Sequence, residues 1–577
     1  MNPGPFLLFM NTLQKKTICL VRSHVAVQDC LFLSLVVLFS LILYIHGLGF
    51  YSDDWWFIGT FSTSKDQSLF GLFRSIYDGW TLMRPVQILY LAGMYWLFGP
   101  YPLGYHLVNA AILLLGVVLF YLVLRELGQS RVFSLSVPMV YALLPHYSTD
   151  RFWFAAHPVT LSMTLYFLSL YSDLRTLQAQ QARLWGYKLL SILSLLGSTL
   201  TYEVFLPLFL LNLLVVWYHG RQLYGLAPCK LLSRVKLAVL IGSNLIALIL
   251  GVVLKALTTT RTEVDFSRYS YHIVWFTRLL KDAIMVNYGN YVLGLPLIIW
   301  KILRYYFDWT IFAVGGGLGL LVFVYLYRTA GQSKADLTDQ LIRILGFFSM
   351  YIAFGLVVFG LGYAIFLTNK NAIITPTGIG NRIAIAAAAG VALSLVGGIG
   401  WVSTLLPSNQ LRRCCFCMLV ALICMSGFVI NSTLASFWIT AYRQEQEILA
   451  DIRQQFPTLP AGSTLILDGV CPYVGPAIVF ESSWDLAGAL QMLHHDHTLQ
   501  ADVVTPNLKV KEDGLYTSLY GYESRYHYEK LYVYHFGRKT TYQLTDAEAA
   551  HLYFQAFNPD HSSGCPRGYE GYGVPVF

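Results

Sequence analysis

The feature that most constrains this chain is its succession of long apolar runs, such as "VNAAILLLGVVLFYLVL" at 108–124. A run of this kind approaches the roughly 20 residues that a helix needs to cross a bilayer. Comparable runs occur near 29–50, 103–124, 132–148, 154–172, 188–201, 203–218, 236–258, 309–327, 344–367, 382–404 and 414–436. Only 12% of the 577 residues are charged, about half the share of an ordinary soluble domain. The expected fold is therefore an all-α polytopic membrane protein with about eleven transmembrane helices.

The formal charge of +8 does not point to nucleic acid, because the basic residues are dispersed through short loops and form no stripe. They act better as topology signals. The run at 84–99 would reach only about 24 Å as a helix, short of a roughly 30 Å hydrocarbon core. If it lies along the surface, the positive-inside rule places Arg125, Arg131, Arg175, Arg183, Lys188, Arg221, Lys230, Arg234, Lys236, Arg328, Lys334, Arg343, Arg412 and Arg413 in cytoplasmic loops. With Lys15, Lys16 and Arg22 before the first run, the N-terminus reads as a cytoplasmic signal anchor. The loops 50–102, 148–158, 259–308 and 369–382 then fall on the other side. So does a polar, Tyr-rich tail, giving domains 1–438 and 439–577.

The tail changes period. "GSTLILDGV" predicts a strand, "SSWDLAGALQMLHH" a helix, "KLYVYHFGRKTTYQLT" a hairpin and "DAEAAHLYFQAF" a helix. The expectation is a small extracytoplasmic α/β domain. Cys471 and Cys565 are its only cysteines, and a disulfide between them suits an oxidising compartment. "HHDH" (His494–His497) closes the predicted helix, where histidines satisfy carbonyls more often than they bind metal. "TPTGIGNR" lacks P-loop spacing. The three cysteines of "RRCCFC" read as membrane packing.

At the end of the first run stands "YSDDWWF", with adjacent carboxylates Asp53 and Asp54. Such a pair either caps a helix or marks a functional centre. Downstream come Arg84-Pro85, the turn Leu97-Phe98-Gly99, "PLGYHLVN", "LPHYSTDRFWFAAHPV" and "TYEVFLP" with Glu203 before Pro207. In this order the motifs resemble the GT-C superfamily of polytopic glycosyltransferases, including protein O-mannosyltransferases and aminoarabinose transferases. The likeness spans roughly 30–220, extends to 436 only in topology, and leaves the tail unmatched. It carries Tyr202 where the family commonly has Lys.

The resemblance implies an inverting enzyme. A sugar passes from a polyprenyl- or dolichyl-phosphate carrier to a glycan, lipid or protein acceptor outside the cytoplasm, with Asp53 or Asp54 as general base. In some relatives a divalent metal (Mg or Mn) assists, although nothing in this sequence requires one. The leaving lipid phosphate needs cations: Arg84 first, then Arg382, then Arg261 and Arg268. Glu203 and His157 are candidates to contact acceptor, sugar or metal, whereas Asp150 and Arg151 read as solvated loop charges. Short loops and the lack of convincing glycosylation sites favour a bacterial inner membrane, with the site facing the periplasm. The rival expectations are a transporter or flippase of lipid-linked sugars and a non-catalytic scaffold of the same fold.

Overall fold

The computed structural model describes residues 24–225, 230–258, 269–331, 340–368, 372–505, 507–519 and 522–557. Arg261 and Arg268 lie outside these residues, as does Cys565.

Each apolar run falls on a helix, but the helices are unequal. Seven are long and apolar enough to cross a membrane: 102–126, 203–223, 235–258, 309–330, 344–368, 379–404 and 409–455. The protein is a multi-pass membrane protein. The other four expected spans are helices too short or too polar for that test: His24–Phe39, Arg131–Leu143, His157–Gln178 and Gln181–Thr201. The polarity of the last two has a physical reason, because they face each other through hydroxyls. Ser162 and Ser198 lie 2.9 Å apart, and the Ser169 hydroxyl donates to the Ser191 carbonyl at 3.0 Å. Small hydroxyl side chains let helices approach closely inside a membrane bundle.

The structure also departs from the expected outer loop 259–308. Residues 270–293 and 295–305 form a helix pair bent by 66° that could count as an eighth span. The segment 84–99 is the short helix Pro85–Phe98, opened by its proline.

Charges counted as topology signals also tie helices together. Arg131 grips Asp29 at 2.7 Å, with Tyr121 and Tyr325 donating to the same carboxylate. Lys188 pairs with Asp173 at 3.0 Å and donates to the Leu240 carbonyl.

The last helix runs unbroken from Asn409 to Gln455, roughly 70 Å at 1.5 Å per residue. It passes through the expected 438/439 boundary and carries the bundle directly into the tail. There the expected strands and helices form. Thr464–Asp468 lies parallel to Gln500–Val503 on one side and to Leu531–His535 on the other, and Thr540–Leu544 closes the sheet antiparallel. Helix Ser483–His494 makes the crossover. The three-stranded meander 509–511, 514–519 and 522–526 was not anticipated. Cys471 is disulfide-bonded.

The tail is fastened to the bundle by side-chain bonds and by helix packing. Asp451 of the long helix accepts from Lys539 at 2.6 Å and from the Tyr534 hydroxyl. Helix Ser483–His494 also packs on Asp53–Ser62 through facing glycines. A Cβ on Gly59 would stand 2.7 Å from Gly488 Cα, and one on Gly488 would stand 2.8 Å from Trp56 Cα. Substituting Gly488→Leu is expected to force the helices apart and detach the tail, read as new protease sensitivity between 456 and 483. Unchanged digestion would show that the contact is dispensable.

Candidate active site at one end of the bundle

The segments expected on one side of the membrane meet at one end of the bundle around a cavity of about 690 Å³. Asp53, Arg84, Glu203 and Arg382 all line it, joined by Tyr202, Trp153, Trp275 and two tail residues, Glu481 and Trp484.

The acidic pair divides. Asp54 is fully buried and turned into the backbone: it accepts from the N–H groups of Tyr51 at 2.9 Å, Phe154 at 3.3 Å and Ala155 at 2.7 Å. Burial raises its carboxyl well above the usual range against the pull of these donors. Asp54 therefore fastens the 153–156 turn and lines no part of the cavity. Asp53 is half-buried and faces it. Burial raises the Asp53 carboxyl as well, opposed by the charge of Arg382 and by the nearby Trp484 side chain. The two carboxylates diverge, so they do not form a paired metal set. Among the described residues, no cluster of three or more His, Cys, Asp or Glu converges as a metal site.

Ser52, immediately before Asp53, sits at φ +47°, a left-handed conformation that costs a non-glycine residue about 1–3 kcal/mol. Its hydroxyl donates to Glu481 at 3.1 Å, and the Tyr473 hydroxyl donates to the other carboxylate oxygen. Asp485 holds the turn carrying Glu481 and Trp484 by accepting from the N–H groups of Glu481 at 2.7 Å and Ser482 at 3.1 Å.

Arg382 is positioned by the motif that lacks P-loop spacing. Gly378 supplies φ +78°, which a side chain would strain. Asn381 then accepts from Thr149 N–H at 3.1 Å and donates to the carbonyls of Pro145 and Pro376, both at 3.0 Å. This clamp lays the Arg382 guanidinium 5.0 Å from the centroid of the Trp153 ring. Asp150 and Arg151, expected in solvent, are buried at 1% and 3% exposure. Burial raises the Asp150 carboxyl, and Arg382 is its leading opposing charge.

Arg84 and Glu203 face one another. The guanidinium forms a two-pronged pair with the carboxylate, and Lys255 joins at 3.0 Å. The Arg84 guanidinium lies 4.1 Å from the centroid of the Tyr202 ring, which serves as an aromatic platform. His157 is placed differently. It is fully buried at the start of its helix, against the His106 and Phe154 rings, and does not reach the cavity. Glu203→Gln would leave Arg84 and Lys255 facing each other without their acid. The expected cost is below the ~3–5 kcal/mol of a fully buried pair, because these groups retain some solvent contact. A thermal melt in detergent checks it.

Lys255, Glu481 and Trp484 were missed. A lone lysine at the exit of an apolar run was an available signal, but nothing marked the tail residues.

Fold and site together define a multi-pass membrane protein with a charged, aromatic-walled cavity at one end of its helices. The sequence matches no protein-family model and no curated protein. Among solved structures it is similar to ArnT from Cupriavidus metallidurans bound to undecaprenyl phosphate, at 14% identity and TM-score 0.35, covering 82% of this chain and 85% of that one. It is also similar to the Archaeoglobus fulgidus oligosaccharyltransferase in complex with Zn and sulfate, at 13% identity and TM-score 0.36, covering 81% of this chain and 61% of that one. Likenesses of this size carry no functional weight, and the cavity's own residues must supply the reading.

Proposed function

We propose that the chain is a membrane glycosyltransferase of the GT-C kind, using a sugar carried on a polyprenyl or dolichyl phosphate. The carrying observation is that Asp53 and Arg382 face one cavity at one end of the bundle. In this reading an acceptor hydroxyl gives its proton to the Asp53 carboxylate as its oxygen bonds to the anomeric carbon. The bond from that carbon to the phosphate oxygen breaks, and the lipid phosphate leaves with the electron pair. Attack opposite the leaving group inverts the anomeric centre.

Arg382 is the first phosphate ligand and Arg84 the second, because Glu203 already neutralises much of the Arg84 charge. This reverses the order expected from sequence. A guanidinium suits this task through its forked donors. Trp153, Trp275 and Trp484 offer ring faces to the C–H surfaces of a sugar, and Glu481 offers a carboxylate to its hydroxyls. Asp54 serves as the structural partner of the base. The bundle is oriented with the cavity and tail outside the cytoplasm, and the domain boundary follows Gln455. A bacterial inner membrane suits this reading.

The test incubates membranes with radiolabelled polyprenyl-phosphate sugars and compares wild type with Asp53→Asn, Asp54→Asn and Arg84→Ala. Equal donor consumption by all four would sink the catalytic assignment, and transport without transfer would favour a flippase. Reporter fusions at residue 180 and at the C-terminus should read cytoplasmic and extracytoplasmic, respectively.

A further inference from the structure

At the opposite end of the bundle lies a second cavity, of about 650 Å³. The helix Ile385–Thr404 separates the two: Arg382 precedes its first turn, and Ser403 and Thr404 close its last. Twenty residues correspond to about 30 Å, so the second cavity sits at the other membrane boundary.

Its polar side is cationic. Arg412 and Arg413, the basic pair of "RRCCFC", line it beside Asn409 and Ser403. Arg412 directs its Nε to the Leu406 carbonyl at 2.7 Å, which leaves its terminal nitrogens without a described protein partner. Arg413 stacks over Tyr327 at 3.9 Å and donates to the Tyr327 carbonyl, and its buried Nε has no acceptor. No described carboxylate pairs with either arginine, in contrast with neighbouring Arg131, which Asp29 neutralises. A second observation is independent of the arginines. Ser403 lines the cavity, is only 3% exposed, and its hydroxyl has no hydrogen-bond partner among the described residues. Buried polar atoms of this kind ordinarily find a partner. The remaining wall includes Phe348 and Phe416, so the cavity is apolar beside its cationic end.

We propose that this cavity binds the phosphate headgroup of an anionic membrane lipid. The two guanidiniums and the Ser403 hydroxyl face the phosphate, and the glycerol and upper acyl carbons lie against Phe348 and Phe416. Basic pockets between helices are suited to anionic headgroups, and the surrounding bilayer supplies such molecules at high local concentration. The site is separate from the Asp53 cavity and does not depend on the reaction proposed for it.

The experiment measures thermal unfolding of the full-length protein in detergent with added phosphatidylglycerol, phosphatidylcholine or inorganic phosphate. Phosphatidylglycerol should raise Tm, and phosphatidylcholine should not. Arg412→Gln/Arg413→Gln should weaken phosphatidylglycerol binding roughly tenfold or more, while Asp53→Asn keeps the full shift. Ser403→Leu fills the cavity without removing charge and should also reduce the shift; it decides the matter if the double variant does not fold. Undiminished stabilisation of a folded Arg412/Arg413 variant, or of Ser403→Leu in its place, overturns the proposal. So does inorganic phosphate binding as tightly as the lipid, because a free anion makes no use of the apolar wall.

Discussion

Asp53→Asn is expected to lower turnover about 10²- to 10⁴-fold, the typical contribution of a positioned general base, with little change in affinity for the lipid donor. Asparagine keeps the shape, but it cannot take up the acceptor's proton. Asp54 should behave differently. Asp54→Ala leaves three backbone N–H groups without their acceptor, at about 1–3 kcal/mol for each buried group left unsatisfied. Its signature is a lower Tm and a poor yield of folded protein. Equal, purely kinetic defects in the two variants would refute the division of the pair.

The same assignment fixes a pH dependence. A base works deprotonated, and burial raises the Asp53 carboxyl. Activity should therefore fall with decreasing pH at values above the usual aspartate range. Arg382 and Trp484 both pull that carboxyl down, so Arg382→Gln and Trp484→Phe should each move the acidic limb to higher pH. A limb that moves down, or stays fixed in both variants, removes Asp53 from the role.

Arg382→Gln carries the second large effect. Losing one preorganised donor to a developing negative charge typically costs 10²- to 10³-fold in kcat. Arg382→Lys should recover part of this loss, since it restores charge without the planar fork. If Gln and Lys were equally impaired, a positioning role against Trp153 would explain the residue better than phosphate binding. Because the Asn381 clamp sets the arginine independently of the acidic pair, the folded yield of Arg382→Gln should stay near wild type.

Much of this site was legible because its ionisable residues stand at the ends of apolar runs. Loop charges alone led to the expectation that Asp53, Arg84, Glu203 and Arg382 share one side of the membrane, and the four line one cavity. The direction of each carboxylate was not legible. Successive helical residues project about 100° apart, and only the packing of the 153–156 turn decides which of the two is consumed by backbone donors. Lys255 leaves the apolar period of its run undisturbed, so its position at the run's exit was the one signal of it. Segment 269–305 read as a loop because its Arg, Lys and Asp residues interrupt the pattern, yet it folds as a bent helix with Trp275 on the cavity. The tail's strands and helices followed their periods, but periodicity does not say what an element docks against.

The hydrogen bond between Ser52 and Glu481 joins residues 429 positions apart, and this has a consequence for biosynthesis. At about 5–20 residues per second, roughly 20–90 s pass between synthesis of the helix carrying Asp53 and synthesis of the wall that closes over it. During that interval the base, the strained Ser52 and the bare glycine face of Asp53–Ser62 wait in the membrane without the tail. A chain truncated before the tail would thus hold most of the cavity residues from the bundle and lack the wall formed by Glu481 and Trp484.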